Sequence, residues 1–200
     1  MKLYYSPFTR STRPRWLLEE LGVPYELVKV DLTAGGNETP EYLAVNPLGA
    51  VPSLVDGDQV ILESAAIVMV LADKFAEKAL APALNTPERA KYTQWMFFAM
   101  STLEPVVVEC AGFSLAQADG KPFHKSEAEV KESFDRLGSY LEAHFAQHQY
   151  AMGASFSAAD IPLGAILAWA RSLKRLEGFP HTLAYVARLT ERPAFKVSRK

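Results

Sequence analysis

The period of hydrophobic and polar positions changes several times along the chain, and each change marks an element. Residues 2–5 (KLYY) are apolar and aromatic and meet Ser6-Pro7 at once, which predicts a buried strand that stops early. Residues 6–12 read as a polar loop. From Arg13 the pattern turns helical: Trp16, Leu17, Leu18 and Leu21 share one stripe, Glu19 and Glu20 face away, Gly22 stands at the stop and Pro24 lies just beyond. Alternation over residues 25–30, with Tyr25 and Leu27 on one face, predicts a second strand. The glycine-bearing loop 33–37 leads to Pro40, suited to the first turn of a short helix that ends near Val45. Residues 53–55 and 60–62 form a hairpin about Asp56-Gly57-Asp58. Residues 64–76 are helical, offering Ile67, Val68, Val70, Leu71 and Phe75 to a core.

The order β-α-β-α-β-β-α, with a right-handed first crossover, gives a small mixed sheet with helices on its faces. That is the thioredoxin-like arrangement. Residues 78–87 (KALAPALNTP) lose periodicity and carry Pro82 and Pro87, so 78–86 read as a linker, Thr86 capping the next helix with Pro87 at its first position. Beyond it no strand pattern recurs. Tyr92, Trp95, Met96, Ala99, Met100, Leu103, Val106 and Val107 make one long stripe, with a kink expected at Pro105. After a break at Gly120-Lys121-Pro122, residues 128–147 are helical and bury Val130, Phe134, Leu137, Leu141 and Phe145. Further helices are predicted over 157–173 and 182–190, and Pro193 opens a terminal turn. Ser157 and Asp160 have capping-box spacing, flanked by Phe156 and Ile161 as a hydrophobic staple. The expected fold is therefore an α/β thioredoxin-like domain at 1–77 followed by an all-helical domain at 87–200.

Composition narrows the function classes. A net charge of −2 over 200 residues supplies no field to recruit nucleic acid or an anionic membrane. The single cysteine, Cys110, excludes an internal disulfide framework and reads as a buried apolar residue. It also leaves the first domain without the Cys-x-x-Cys of a dithiol oxidoreductase. No stretch reads as the roughly 20 apolar residues of a membrane span, and the N-terminus has neither signal- nor transit-peptide form, so a cytoplasmic location is expected. His144 and His148 lie four apart on a helix, but no third ligand accompanies them, and no metal is expected.

Three stretches, SPFTRSTRPRWLLEELGVPYE, NPLGAVPSL with ILES, and FSAADIPLG, stand in an order that resembles the cytosolic glutathione transferase superfamily over essentially the whole chain. The resemblance implies a cis bond before Pro52, which turns the backbone of Val51 outward to pair with the cysteinyl unit of glutathione as a strand would. It implies that Ser64, opening a helix, holds the γ-glutamyl carboxylate, and that Glu63 receives the ammonium of the same group. Glutathione would be a substrate, with no prosthetic group. A homodimer, built largely on the helix that begins near Pro87, and a hydrophobic electrophile bound against the helical domain are the implied partners. Trp95, Phe97, Phe98 and Met100 are candidates to line that site.

The chemistry requires a thiolate, and a free cysteine thiol titrates at about 8.5. Tyr5, Ser6, Thr9 and Ser11 offer hydroxyls, and Arg10 and Arg13 offer charge, between the first strand and the first helix. The catalytic serine of the serine-type classes falls on Phe8, which cannot donate, and the cysteine of the bacterial beta class falls on Arg10. The Thr-Arg-Ser pattern resembles members with Ser-Arg-Ser before a Trp-Leu-Leu helix. On that reading Thr9 ranks first, Ser11 second and Tyr5 third; the alternative is that two of the three only cap the helix. Two other functions share the motifs: glutathione-dependent disulfide or peroxide reduction, and glutathione binding without catalysis.

Overall fold

Four short strands, β1 (Lys2–Tyr5), β2 (Glu26–Lys29), β3 (Ser53–Asp56) and β4 (Gln59–Leu62), pair in the order β2-β1-β3-β4 in the computed structural model, which describes residues 1–200. β1 runs parallel to β2 and antiparallel to β3, and β3 is antiparallel to β4. The register sets Tyr4 beside Ser53 and Ser53 beside Leu62. The exit from β1, the entry to β3 and the exit from β4 therefore meet at one end of the sheet.

Helices complete this first unit. α1 (Thr12–Leu21) buries Trp16, Leu17, Leu18 and Leu21, and Gly22 takes a left-handed φ of 65° so that its N–H closes on the Leu18 carbonyl at 3.1 Å. α2 (Pro40–Leu43) starts on Thr39, whose hydroxyl accepts from the Tyr42 N–H. In α3 (Ser64–Lys74), Ser64, Ile67, Val68 and Leu71 define the buried stripe. Val70, expected in the core, is exposed because it falls six positions after Ser64, on the opposite face.

The boundaries depart from expectation at the end of the chain. The two compact units are Met1–Ala81 with Glu191–Lys200, and Pro82–Thr190. The last ten residues, assigned above to the helical domain, belong to the first unit. Their helix, α9 (Pro193–Ser198), sets Phe195 edge-on to Trp16 at 4.9 Å. Arg192 donates twice to Glu20 of α1, at 2.6 and 2.8 Å. These contacts span more than 170 residues of sequence, beyond the reach of any local pattern.

The second unit is helical: α4 (Pro87–Phe97), a π-helical segment (Phe98–Leu103), α5 (Glu104–Ala118), α6 (Glu127–Phe145), α7 (Asp160–Ser172) and α8 (Pro180–Thr190). Thr86 caps α4, accepting from the Arg89 N–H at 3.2 Å. α4 runs through the π segment into α5 as one 32-residue helix, and by length and composition this helix could cross a membrane, contrary to the sequence reading. Its apolar stripe (Tyr92, Trp95, Met96, Ala99, Leu103, Val107 and Cys110) is buried. Where a kink was expected, the hydrogen-bond register widens to i→i+5 just before Pro105. Proline has no N–H to continue the tighter ladder, and the wider turn absorbs that loss.

Two caps differ from the sequence reading. The reciprocal box is at Ser126 and Glu129: the Glu129 N–H donates to Ser126 Oγ at 3.3 Å, and the Ser126 N–H donates to the Glu129 carboxylate at 2.8 Å. Ser-x-x-Glu is present there in the sequence and was the better match to the box. At 157–160 half of the box forms: the Ser157 N–H donates to Asp160 at 2.8 Å as expected, but the helix begins only at Asp160, and the Ser157 hydroxyl donates to Asp160 at 3.0 Å instead of accepting from the helix. Asp160 is fully buried and collects four donors: Ser157 N–H and O–H, Ala151 N–H at 2.7 Å and Tyr185 O–H at 2.9 Å. Burial pushes its carboxyl above the usual range, and those donors pull against it.

Candidate functional site

The loop from β1 to α1 holds the hydroxyls. Ser11 is fully buried and turned back onto Ser6: it accepts from the Ser6 N–H at 3.0 Å and donates to the Ser6 carbonyl at 2.7 Å. It occupies the N-cap position of α1 yet makes no side-chain cap. Thr9 is half-buried. Its hydroxyl donates to the same Ser6 carbonyl at 2.7 Å, lies 2.7 Å from Ser11 Oγ, and accepts from the Ser11 N–H at 3.2 Å. Tyr5 is buried, with its hydroxyl on the Ser198 carbonyl at 3.4 Å and the Arg15 guanidinium 4.7 Å from its ring centre. Thr9 and Ser11 are thus one cluster, and Tyr5 points elsewhere.

The proton inventory separates the two. Two hydroxyl protons serve three short contacts, Thr9 to Ser6, Ser11 to Ser6 and Thr9 to Ser11, and either hydroxyl can hold the Ser6 carbonyl. If the Thr9 hydroxyl rotates toward a ligand, Ser11 still holds that carbonyl. If Ser11 left, the buried Ser6 N–H would lose its acceptor. Phe8, one residue before Thr9, has φ of 60°, unusual for a side chain with a Cβ, and is 77% exposed. Arg10 is also exposed on this loop.

The entry to β3 is a second component. Val51-Pro52 is a cis peptide bond. The turn before it is braced from several sides. Asn46 donates its amide to the Ala50 carbonyl at 2.7 Å, Tyr42 donates its hydroxyl to the same oxygen at 2.5 Å, and Asn37 donates to the Gly49 carbonyl at 2.8 Å. Val51 itself takes part in no strand ladder or turn bond.

The exit from β4 is the third. Glu63 is exposed, with φ of 67° as α3 begins. Ser64 is buried, and the Arg13 guanidinium donates to its hydroxyl at 3.3 Å. Arg13 is itself buried, on the first turn of α1. Sequence reasoning treated Arg13 as a nearby charge and missed this contact, 51 residues away in the chain. A signal was there: an arginine on an otherwise buried helix face requires a polar partner.

The residues proposed for the hydrophobic site belong to the helical unit. Trp95 is buried, Phe97 is exposed, and Phe98 and Met100 are half-buried. His144 and His148 stack ring on ring at 4.4 Å, and nowhere do three or more His, Cys, Asp or Glu residues stand together as metal ligands. Cys110 is buried, and burial pushes its thiol up.

Comparison with known proteins decides the family. The glutathione S-transferase N-terminal domain matches residues 1–73, and the glutathione S-transferase C-terminal domain matches residues 71–193. The chain belongs to the glutathione S-transferase family. As a member of that family it is 33% identical to glutathione S-transferase 3 of Zea mays, over 98% of this chain and 91% of that one. It is 30% identical to the disulfide-bond oxidoreductase YfcG of Escherichia coli, over 96% of this chain and 91% of that protein. Among solved structures it resembles a sphingomonad glutathione S-transferase complexed with glutathione, with a TM-score of 0.82 at 29% identity, covering 100% of this chain and 97% of the other. This family member therefore carries both domains, the thioredoxin-like sheet with its helices and the helical unit.

Proposed function

We propose that the chain is a glutathione transferase that holds glutathione at the shared end of β1, β3 and β4 and activates its thiol with the Thr9 hydroxyl. The observation that carries this reading is the convergence of three chemically distinct segments at one end of the sheet. Val51 offers an uncommitted backbone N–H and C=O to the cysteinyl unit. Ser64, at the N-terminus of α3 with the Arg13 cation on its hydroxyl, suits the γ-glutamyl carboxylate, and Glu63 suits the ammonium. Arg10 adds positive charge to the rim.

For the thiol, Thr9 is the donor best supported. Its O–H can turn to donate to sulfur while Ser11 keeps the loop closed, so Ser11 is a positioning residue, and Tyr5 ties the end of β1 to Ser198. A donor held ready for the thiolate stabilises the charged form and lowers the thiol pKa. The co-substrate would be a hydrophobic electrophile and the assembly a homodimer, as in the family.

The similarity to a disulfide-bond oxidoreductase favours one alternative, reduction of disulfides or peroxides by glutathione itself, since the only cysteine is buried. Turnover of an aryl halide, an organic peroxide and a glutathione mixed disulfide, measured side by side, tests the choice. The transferase reading expects the aryl halide to give the highest kcat/KM. A mixed disulfide turned over faster, with no aryl conjugation, would overturn it.

A further inference from the structure

We infer that Arg199, held within cation–π range of Phe8, forms a cationic rim beside the thiol and favours co-substrates whose apolar body carries a carboxylate or sulfonate. The inference rests on the glutathione reading above.

Phe8 is a large apolar residue left mostly in solvent, in a turn that ends at Thr9. One charged group stands over it: the Arg199 guanidinium carbon lies 5.6 Å from the Phe8 centroid and 5.6 Å from that of Phe195. Both distances are within cation–π range. The arginine is held in place from behind. Phe195 is buried against Trp16, and the neighbouring Ser198 is buried with its carbonyl on Tyr5. Lys196, on the same helix, is already paired with Glu191 at 2.6 Å.

If the sulfur sits at the Thr9 hydroxyl, the new bond forms next to Phe8. Atoms of the co-substrate beyond the reacting centre then reach across the exposed part of the same turn. That surface presents an aromatic face and, over it, a planar cation. Arg199 is exposed, and the N–H groups of a guanidinium held at an aromatic ring can still pair with the two oxygens of a carboxylate. A neutral aryl group would gain from Phe8 alone, whereas an aryl group bearing an anion would gain from both residues.

Binding of two product conjugates tests this without requiring turnover. Isothermal titration would compare the S-dinitrophenyl conjugate of glutathione with its S-carboxynitrophenyl counterpart, on wild type, Arg199→Gln, Arg199→Lys and Phe8→Leu. Arg199→Gln is expected to weaken the carboxylated conjugate about fivefold, roughly 1 kcal/mol at 1.4 kcal/mol per tenfold, and to leave the neutral one within twofold. Arg199→Lys keeps the preference, Phe8→Leu weakens both conjugates, and added salt shrinks the wild-type preference. Equal weakening of both conjugates by Arg199→Gln, or no change in either, would overturn the inference. If neither conjugate nor glutathione binds wild type, the glutathione reading itself fails and takes this inference with it.

Discussion

Ser11 and Thr9 stand two residues apart with similar side chains, and their surroundings give them different work. Ser11 is locked on both sides by the Ser6 backbone, whereas Thr9 shares its acceptor and keeps one side toward solvent. Ser11→Ala should therefore lower stability by about 1–3 kcal/mol, since a buried N–H loses its acceptor; thermal unfolding measures this. At the proposed glutathione subsites, Ser64→Ala and Glu63→Ala should raise KM for glutathione about tenfold, roughly 1.4 kcal/mol, while changing kcat less. Steady-state kinetics with glutathione varied would show it, and unchanged saturation in both variants would contradict the assignment.

Among the elements, α8 is capped by a distant side chain. Glu142 of α6 accepts from the backbone N–H groups of His181 and Thr182, both at 2.9 Å, and from the Thr182 hydroxyl. Burial pushes its carboxyl up, but the His181 and Thr182 hydrogen bonds outweigh this and leave it below the ordinary 4.5. A depressed folded-state value means its contribution is complete above pH 4.5 and is lost as pH falls through the lowered value. Glu142→Gln should cost about 1–2 kcal/mol near neutral pH, in the range of a lost helix cap. The gap from wild type should narrow in denaturant melts run at progressively lower pH. Helix and strand periods were legible in the sequence because they are local, and so were the Thr86-Pro87 start of α4 and the hairpin at Asp56-Gly57. The cap at Glu142, the reach of Arg13 to Ser64 and the inward turn of Ser11 were not legible. Each depends on a neighbour that folding supplies, and the local pattern carries no trace of it.

Taken as a whole, the chain passes from the sheet unit into the helical unit and ends by returning to the first. The returning helix packs on the two elements that flank the loop carrying Thr9, through Phe195 on Trp16 of α1 and Ser198 on Tyr5 of β1. Phe195→Ala should cost about 3–5 kcal/mol, and circular dichroism melts would record it. The reading of 87–200 as one domain missed this because Pro193 to Ser198 is helical whichever unit it packs on. The family and its two-domain order were legible from three motifs, whereas the sulfur chemistry was narrowed only by side-chain geometry. That chemistry is tested most directly by the ultraviolet absorbance of the thiolate of bound glutathione, titrated against pH in wild type, Thr9→Ala, Thr9→Ser and Ser11→Ala. The account predicts a bound thiol well below the free value of about 8.5 in wild type and Thr9→Ser, and a rise of one unit or more in Thr9→Ala. An unchanged titration in Thr9→Ala would contradict it.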